Sequence, residues 1–259
     1  MCRLAAYLGP EISLSDFLMV PEHSLYMQSY APAEMEEAIL NADGFGFCWY
    51  PQHEAPAVYK NTCPIWTDRN LINLGTTLTS NLWLANVRSA TPGQPVSQDN
   101  TQPFRSGPYT FMHNGFIDNF SDKMKIYFHE YLAADIQAGI QGNTDSEYLF
   151  ALFRQSLQSN EDDLVQATKH FINELHVLLD STKALVNIML SDGKLIIASR
   201  YAFNGGKCPT LYWAEDLPSF QNARLIASER FTNDDKWNVV KDNHLIVFAD
   251  DTPASLIEI

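Results

Sequence analysis

Met1-Cys2-Arg3-Leu4-Ala5-Ala6-Tyr7-Leu8-Gly9 opens the chain, and how it is read decides what the rest can be. From Cys2 to Leu8 the residues are apolar with one charge, which predicts a short buried strand that Gly9-Pro10 ends, with its first residue at a sheet end. If Met1 is removed, Cys2 becomes the terminus and carries a thiol and a free amine on one residue. A free thiol titrates near about 8.5 and an α-amine at roughly 7.7–8.0, so such an amine can take the thiol proton itself. Nucleophiles activated in this way need no histidine. The other reading is a free cysteine at the start of a buried strand, where cysteine is common.

The chain has 259 residues, 46% of them hydrophobic and 19% charged, the composition of an ordinary compact fold large enough to bury a core. Seventeen Lys and Arg stand against 31 Asp and Glu, a formal net charge of −14 that argues against nucleic acid and anionic membranes as partners. A small-molecule ligand fits better. Cys2, Cys48, Cys63 and Cys208 show no C-x-x-C spacing, and no signal sequence precedes them, so a reducing cytoplasm is expected. The seven histidines form no H-x-H or H-E-x-x-H pattern, and neither a metal nor a cofactor is expected.

Outward from the first strand, Ser13-Leu14-Ser15-Asp16 predicts a short capped helical turn. Residues 23–32 read as a loop in which His23 makes a hydrogen bond. Gly44-Phe45-Gly46 precedes an aromatic run, and glycines so spaced permit a close approach of ligand or backbone, or mark a plain hairpin. Leu82–Arg88 reads as a strand delivering a guanidinium to the turn Ser89-Ala90-Thr91-Pro92-Gly93, where it either meets solvent or grips a carboxylate. Tyr109–Met112 reads as a strand running into His113-Asn114-Gly115. There, an amide side chain beside an unobstructed backbone N–H can form an oxyanion hole, but Asn-Gly is also the commonest hairpin turn signal, and taken alone the pair reads first as a turn.

Helical periodicity spans Ser121 to about Ile140, and another helix follows Gly142, with Thr144 or Asp145 as its cap. Asp145 is either that cap or a partner for a substrate ammonium. Glu161–Leu179 is the clearest amphipathic helix, and the last third turns to strands. This order suggests two sheet layers between helices, with no linker dividing the chain.

Taken together, Cys2, Gly44-Phe45-Gly46, Arg88, His113-Asn114-Gly115 and Thr144-Asp145-Ser146-Glu147 resemble the class II glutamine amidotransferase domains of the N-terminal nucleophile hydrolases. The resemblance covers residues 1 to about 157 by motif, with Ala227-Ser228-Glu229 agreeing near the end. It implies an α+β fold, a four-layer αββα sandwich of mostly antiparallel sheets, formed as a single domain over 1–259. It also implies that the Cys2 thiol attacks a γ-glutamyl amide, with the Asn114 side chain and Gly115 N–H holding the oxyanion. Arg88 would bind the α-carboxylate and Asp145 the α-ammonium, with Thr91 and His113 completing the substrate-binding set. Within that family the opening residues, His23-Ser24-Leu25, Gln28-Ser29-Tyr30 and Val87-Arg88-Ser89-Ala90-Thr91 look like the γ-glutamyl hydrolases of ergothioneine biosynthesis. Those enzymes cut glutamate from γ-glutamyl-hercynylcysteine sulfoxide. Leu4, Cys48 and Arg230 depart from that group's pattern.

Three functions compete. One is a stand-alone hydrolase of γ-glutamyl amides. The second is a glutaminase subunit supplying ammonia to a separate synthase. The third is a glutamyl-binding protein without turnover. The residues leave oligomeric state open, and the resemblance is in keeping with self-association.

Overall fold

The computed structural model describes residues 1–35, 40–51, 55–91, 94–249 and 252–259. Pro92 and Gly93 of the expected turn lie outside the described residues. In chain order the strands are β1 (Arg3–Ser13), β2 (Phe45–Trp49), β3 (Ala57–Asn61), β4 (Thr79–Val87), β5 (Phe104–Ser106), β6 (Tyr109–Ile117) and β7 (Ala184–Ser191). They continue as β8 (Leu195–Arg200), β9 (Ala202–Phe203), β10 (Tyr212–Leu217), β11 (Phe220–Ala227), β12 (Asn238–Val239), β13 (His244–Ala249) and β14 (Ser255–Glu258). The helices are α1 (Leu14–Leu18), α2 (Leu25–Tyr30), α3 (Asn70–Thr77), α4 (Lys125–Tyr131), α5 (Ala134–Gln137), α6 (Asp145–Gln158) and α7 (Leu164–Leu179).

Two antiparallel sheets carry the molecule. One runs β12-β10-β11-β1-β4-β2-β3, and the other β14-β13-β8-β7-β6-β5 with β9 beside β7. Three apolar clusters mark the layers. Leu4, Ala6, Leu82, Leu84, Met112, Met189 and Ile246 meet between the sheets. Tyr7, Phe17, Phe47, Trp83 and Phe231 pack the outer face of the first sheet with α1 and its neighbours. Phe111, Phe153, Phe171 and Ile188 pack the second sheet against α6 and α7. Because successive strand residues face opposite sides, each central strand feeds two of these clusters. The result is the αββα sandwich.

Several elements differ from their sequence reading. Gly9-Pro10 does not end β1, because the register against β4 shifts between Leu8 and Ile12, which lets a residue without an N–H pass through the ladder. Ser13 does cap α1, its Oγ accepting the Asp16 N–H at 3.1 Å. Residues 25–30, read as loop, form α2, whose cap is Ser24 accepting from the Met27 N–H at 3.3 Å. The single helix expected over 121–140 is instead a π-turn at Phe120–Met124, α4 and α5, divided where Leu132 and Ala133 adopt extended backbone. Asn114-Gly115 lies inside β6 and is not a hairpin turn.

Gly46 shows why β2 needs its glycine. A Cβ there would lie 2.2 Å from the Gln102 carbonyl oxygen and 2.9 Å from that of Tyr59, so the 100–103 segment crosses β2 in backbone contact. Gln102 in turn grips His113, accepting its N–H at 2.6 Å and donating to its carbonyl at 3.0 Å. Gly46→Ala is expected to destabilise the fold by roughly 1–3 kcal/mol, the cost of overpacking against backbone. A thermal melt beside wild type checks this: an unchanged midpoint would mean that the crossing segment yields freely.

Candidate active site

Cys2 directly precedes β1 and, by alternation with Leu4, Ala6 and Leu8, belongs to the face between the sheets. Arg3 pairs with Val87 across β1 and β4, so one step further along the register sets Cys2 opposite Arg88. The Cys2 thiol lies 3.9 Å from the Ser89 carbonyl oxygen. It opens on a cleft of about 840 Å³ whose lining includes Thr91, Gly115, Phe116, Asn119 and Asp145. Four residues singled out in the sequence, Cys2, Thr91, Gly115 and Asp145, thus meet at one cavity, while Arg88, His113 and Asn114 lie behind its surface.

The backbone of β6 explains Gly115. In an antiparallel strand the N–H groups of alternate residues point to the same edge. The His113 N–H on that edge goes to Gln102, and the Ile117 N–H goes to Asp145 Oδ2 at 3.0 Å. The Gly115 N–H lies between them on the same edge, beyond the end of β5, and no partner for it is found among the described residues. The other edge holds β7 so closely that a Cβ on Gly115 would sit 1.7 Å from the Leu185 carbonyl oxygen. Only glycine fits there.

Asn114 faces inward like Met112 and is fully buried, yet neither atom of its amide has a partner among the described residues. Asn86, on the inner face of β4 opposite Leu4, has an unpartnered amide as well. Buried polar groups are nearly always hydrogen-bonded, so two such amides on the inner layer near Cys2 leave donors and acceptors for a ligand.

Thr144 caps α6, its Oγ1 accepting the Glu147 N–H at 3.3 Å, which leaves Asp145 as the first helical residue. The Asp145 carboxylate accepts from the Ile117 and Ser146 N–H groups at 3.0 and 2.8 Å, has no Lys or Arg partner among the described residues, and faces the cleft. Arg88, 3% exposed, donates to the carbonyls of Asp43 and Pro95 at 3.3 and 3.4 Å and has no carboxylate partner among the described residues. Asp43 fixes the following turn by accepting the Ala90 N–H at 2.8 Å.

His113 alternates onto the helix-facing side of β6. Its Nδ1 is 2.9 Å from Ser146 Oγ and its Nε2 3.0 Å from the Leu185 carbonyl oxygen. Burial lowers its pKa, against the opposing effects of the Asp145 charge and the Leu185 hydrogen bond. The ring is therefore neutral, donating through Nε2 to Leu185 and accepting at Nδ1 from Ser146. With both nitrogens occupied, the geometry supports a role in holding β6 against α6 and β7, not a direct contact with substrate.

The sequence reading missed the group that anchors Cys2. The Arg3 guanidinium donates to Glu229 Oε1 at 2.7 Å and to the Cys2 carbonyl at 3.0 Å. Glu229 also meets His23 Nε2 at 2.8 Å and accepts the Ala33 and Glu34 N–H groups at 2.7 and 3.2 Å. Ser228 clamps the same strand from both sides of Leu4, its Oγ accepting the Leu4 N–H and its own N–H donating to the Leu4 carbonyl. The only signal was Ala227-Ser228-Glu229 itself, 226 residues from Arg3.

Comparison with known proteins decides the family. The model for glutamine amidotransferases class-II matches residues 20–203. The chain belongs to the class-II glutamine amidotransferases. As a member of this family it is an amide-bond hydrolase. A probable glutamine amidotransferase of Saccharomyces cerevisiae, DUG3, is 31% identical over 97% of this chain and 83% of its own length. The γ-glutamyl-hercynylcysteine sulfoxide hydrolase of Mycolicibacterium smegmatis is 28% identical, covering 96% of both chains. Among solved structures, a glutamine aminotransferase class-II domain protein of Silicibacter pomeroyi superposes with a TM-score of 0.70 at 22% identity, over 100% of this chain and 99% of that one. The glutamine phosphoribosylpyrophosphate amidotransferase of B. subtilis gives 0.66 at 16% identity, over 99% of this chain and 49% of that one.

Burial alone would raise the Glu229 pKa, but its bonds to His23 and Ala33, the Arg3 charge and the Glu34 N–H together pull it down to about 2. A carboxyl whose folded pKa lies below its unfolded value of about 4.3 stabilises the fold fully above that pH, and the contribution is lost as pH falls towards 2. Glu229→Gln leaves the buried Arg3 uncompensated and is expected to cost about 3 kcal/mol at neutral pH. It should also remove this part of the acid dependence. Urea titrations of both proteins between pH 7 and 3 check it: parallel stability curves would exclude Glu229 as the source.

Proposed function

We propose that this amidotransferase-family hydrolase acts in the cytoplasm on γ-glutamyl amides, with Cys2 as nucleophile once Met1 is removed and residues 1–259 working as one domain. Its substrate in this reading is γ-glutamyl-hercynylcysteine sulfoxide, supported by relatives of that name aligned along nearly the whole chain. The observation that carries the reading is the buried, unpartnered Asn114 amide next to the edge N–H of Gly115, on the layer that also holds Cys2. Two donors converging beside a thiol is what a tetrahedral oxyanion requires.

In the reaction, the Cys2 α-amine takes the thiol proton and Sγ adds to the γ-carbonyl carbon. The carbonyl electron pair moves onto oxygen, where Asn114 Nδ2 and the Gly115 N–H donate to it. Collapse breaks the C–N bond as the amine nitrogen takes the proton, leaving a γ-glutamyl thioester on Cys2. Water adds to the thioester through the same oxyanion, with the Cys2 amine as base, and glutamate leaves as the thiol is restored. Arg88 holds the glutamyl α-carboxylate, which supplies the counter-charge that this buried guanidinium lacks among the described residues. Asp145 holds the α-ammonium, with Thr91 on the cleft wall, while His113 serves as a positioning residue.

Glutamate release from glutamine, glutathione, γ-glutamylcysteine and γ-glutamyl-hercynylcysteine sulfoxide tests the assignment. The hercynyl conjugate should be cut best, and Cys2→Ala should lower the rate by about 10³-fold or more. Preference for glutamine would support instead a subunit feeding ammonia to a separate synthase, and no release from any of the four would support a glutamyl-binding protein without turnover. Asp145→Asn should lower kcat/KM by on the order of 10²-fold, largely through KM, since the charge pair forms in ground and transition states alike. A loss confined to kcat would remove Asp145 from substrate binding.

A further inference from the structure

A second cleft, of about 540 Å³, lies between β3, β5, the segment that follows α5 and one side of α6. None of its described lining residues also lines the cleft at Cys2. Three cations from three elements reach it: Lys60 of β3, Arg105 of β5 and Arg154 of α6. None of them forms an ion pair among the described residues. Arg105 donates to the Pro56 carbonyl at 2.9 Å. The Arg154 guanidinium lies against Gly139, its Nη1 2.6 Å from where a Cβ would stand, so the glycine makes room for it. Lys60 is half-buried, and burial lowers its pKa against the opposing charges of Asp99 and Glu147.

The two acids of the cleft do not satisfy this set. Glu147 spends its carboxylate oxygens on the Gln141 and Gly142 N–H groups, at 2.7 and 2.6 Å. Asp99 is exposed, as Arg105 is, and solvent screens both. Lys60 and Arg154 are therefore left as half-buried cations, partly stripped of water and without a counter-ion in contact among the described residues. The rest of the wall is apolar: Val58, Ile140, Phe104 and Phe150, the last two stacked with ring centroids 6.0 Å apart.

We propose that this cleft binds an organic phosphate monoester, with the phosphoryl oxygens on Lys60, Arg105 and Arg154 and the carbon skeleton on the apolar wall. The proposal does not depend on the γ-glutamyl reading, because the two clefts share no described lining residue. A phosphate monoester concentrates a charge of about −1.5 to −2 on three acceptor oxygens, and three cationic donors can share them. The two guanidinium forks match phosphate oxygens in pairs, and the ammonium adds a point charge. A monocarboxylate brings one charge and two oxygens, which leaves part of the set unsatisfied. The three cations also supply locally the attraction that a molecule of net charge −14 denies to an anion at long range.

Calorimetric titration of the full chain with phenyl phosphate, inorganic phosphate and succinate tests the site. Phenyl phosphate should bind at one site per chain, roughly tenfold more tightly than inorganic phosphate, because its ring buries apolar surface. Arg154→Gln and Lys60→Gln should each weaken it by roughly tenfold or more, the worth of a charge-assisted hydrogen bond. Arg154→Lys, which keeps the charge without the fork, should fall between wild type and Arg154→Gln. Thermal melts without ligand show whether each variant folds, and Arg105→Gln, at an exposed position, takes the place of any that does not. Wild type that fails to bind phenyl phosphate saturably overturns the site. So does binding that survives the substitutions, which would put the anion elsewhere, or tighter binding of succinate, which would make the ligand a dicarboxylate.

Discussion

The structure depends on a buried guanidinium. Arg3 is 1% exposed, and a charge taken out of water at that depth is tolerated only when it is paired and hydrogen-bonded. Glu229 supplies the pair from the far end of the chain, and the Cys2 carbonyl supplies a further acceptor. The same carboxylate gathers His23 and the backbone of residues 33 and 34. A single ionic contact thus ties the first strand, the segment after α2 and the end of β11 into one unit, and the residue it immobilises is the neighbour of the thiol. Chain termini ordinarily fray. Here the terminus is fixed because leaving it free would strand a buried charge.

The layers divide the labour. Between the sheets the inner faces of β1, β4, β6 and β7 are apolar along most of their length, and they turn polar at the end where Cys2 emerges. Cys48 and Asn114 illustrate the contrast. Cys48, deep in the apolar part, has its thiol pushed up to about 12, chiefly by burial, which keeps it inert at neutral pH. Asn114, on the same layer, carries a buried amide with no partner among the described residues, beside the cleft that Cys2 opens on. One architecture therefore silences one thiol and gives another a polar setting, and the difference is position along the strand rather than residue type.

What was legible in the sequence follows from which interactions are local. Ser13 and Thr144 announce helices because a cap acts over three residues, and both are caps here. Gly9-Pro10 reads as a stop because proline breaks ladders, and the register shift that admits it depends on β4, about 70 residues away. Asn114-Gly115 taken alone reads first as a turn, since nothing nearby in sequence reveals that β7 backs the glycine. His113 looked like a ligand residue, yet the Leu185 carbonyl and Ser146 hydroxyl that occupy its ring come from other elements. The Arg3–Glu229 pair was the least visible, because its members are almost the whole chain apart.

The distribution of charge bears on how a strongly acidic protein handles an anionic substrate. A net charge of −14 disfavours the approach of any γ-glutamyl compound with two carboxylates. Screening at physiological salt limits that penalty to about 8 Å, so what matters is the charge within the clefts themselves. There a positive group is at hand, since Arg88 lies behind the cleft with no carboxylate partner among the described residues. Asp145 adds the negative charge suited to an α-ammonium. A ligand carrying both a carboxylate and an ammonium on one carbon would meet both signs here, which the net charge of the molecule alone does not offer.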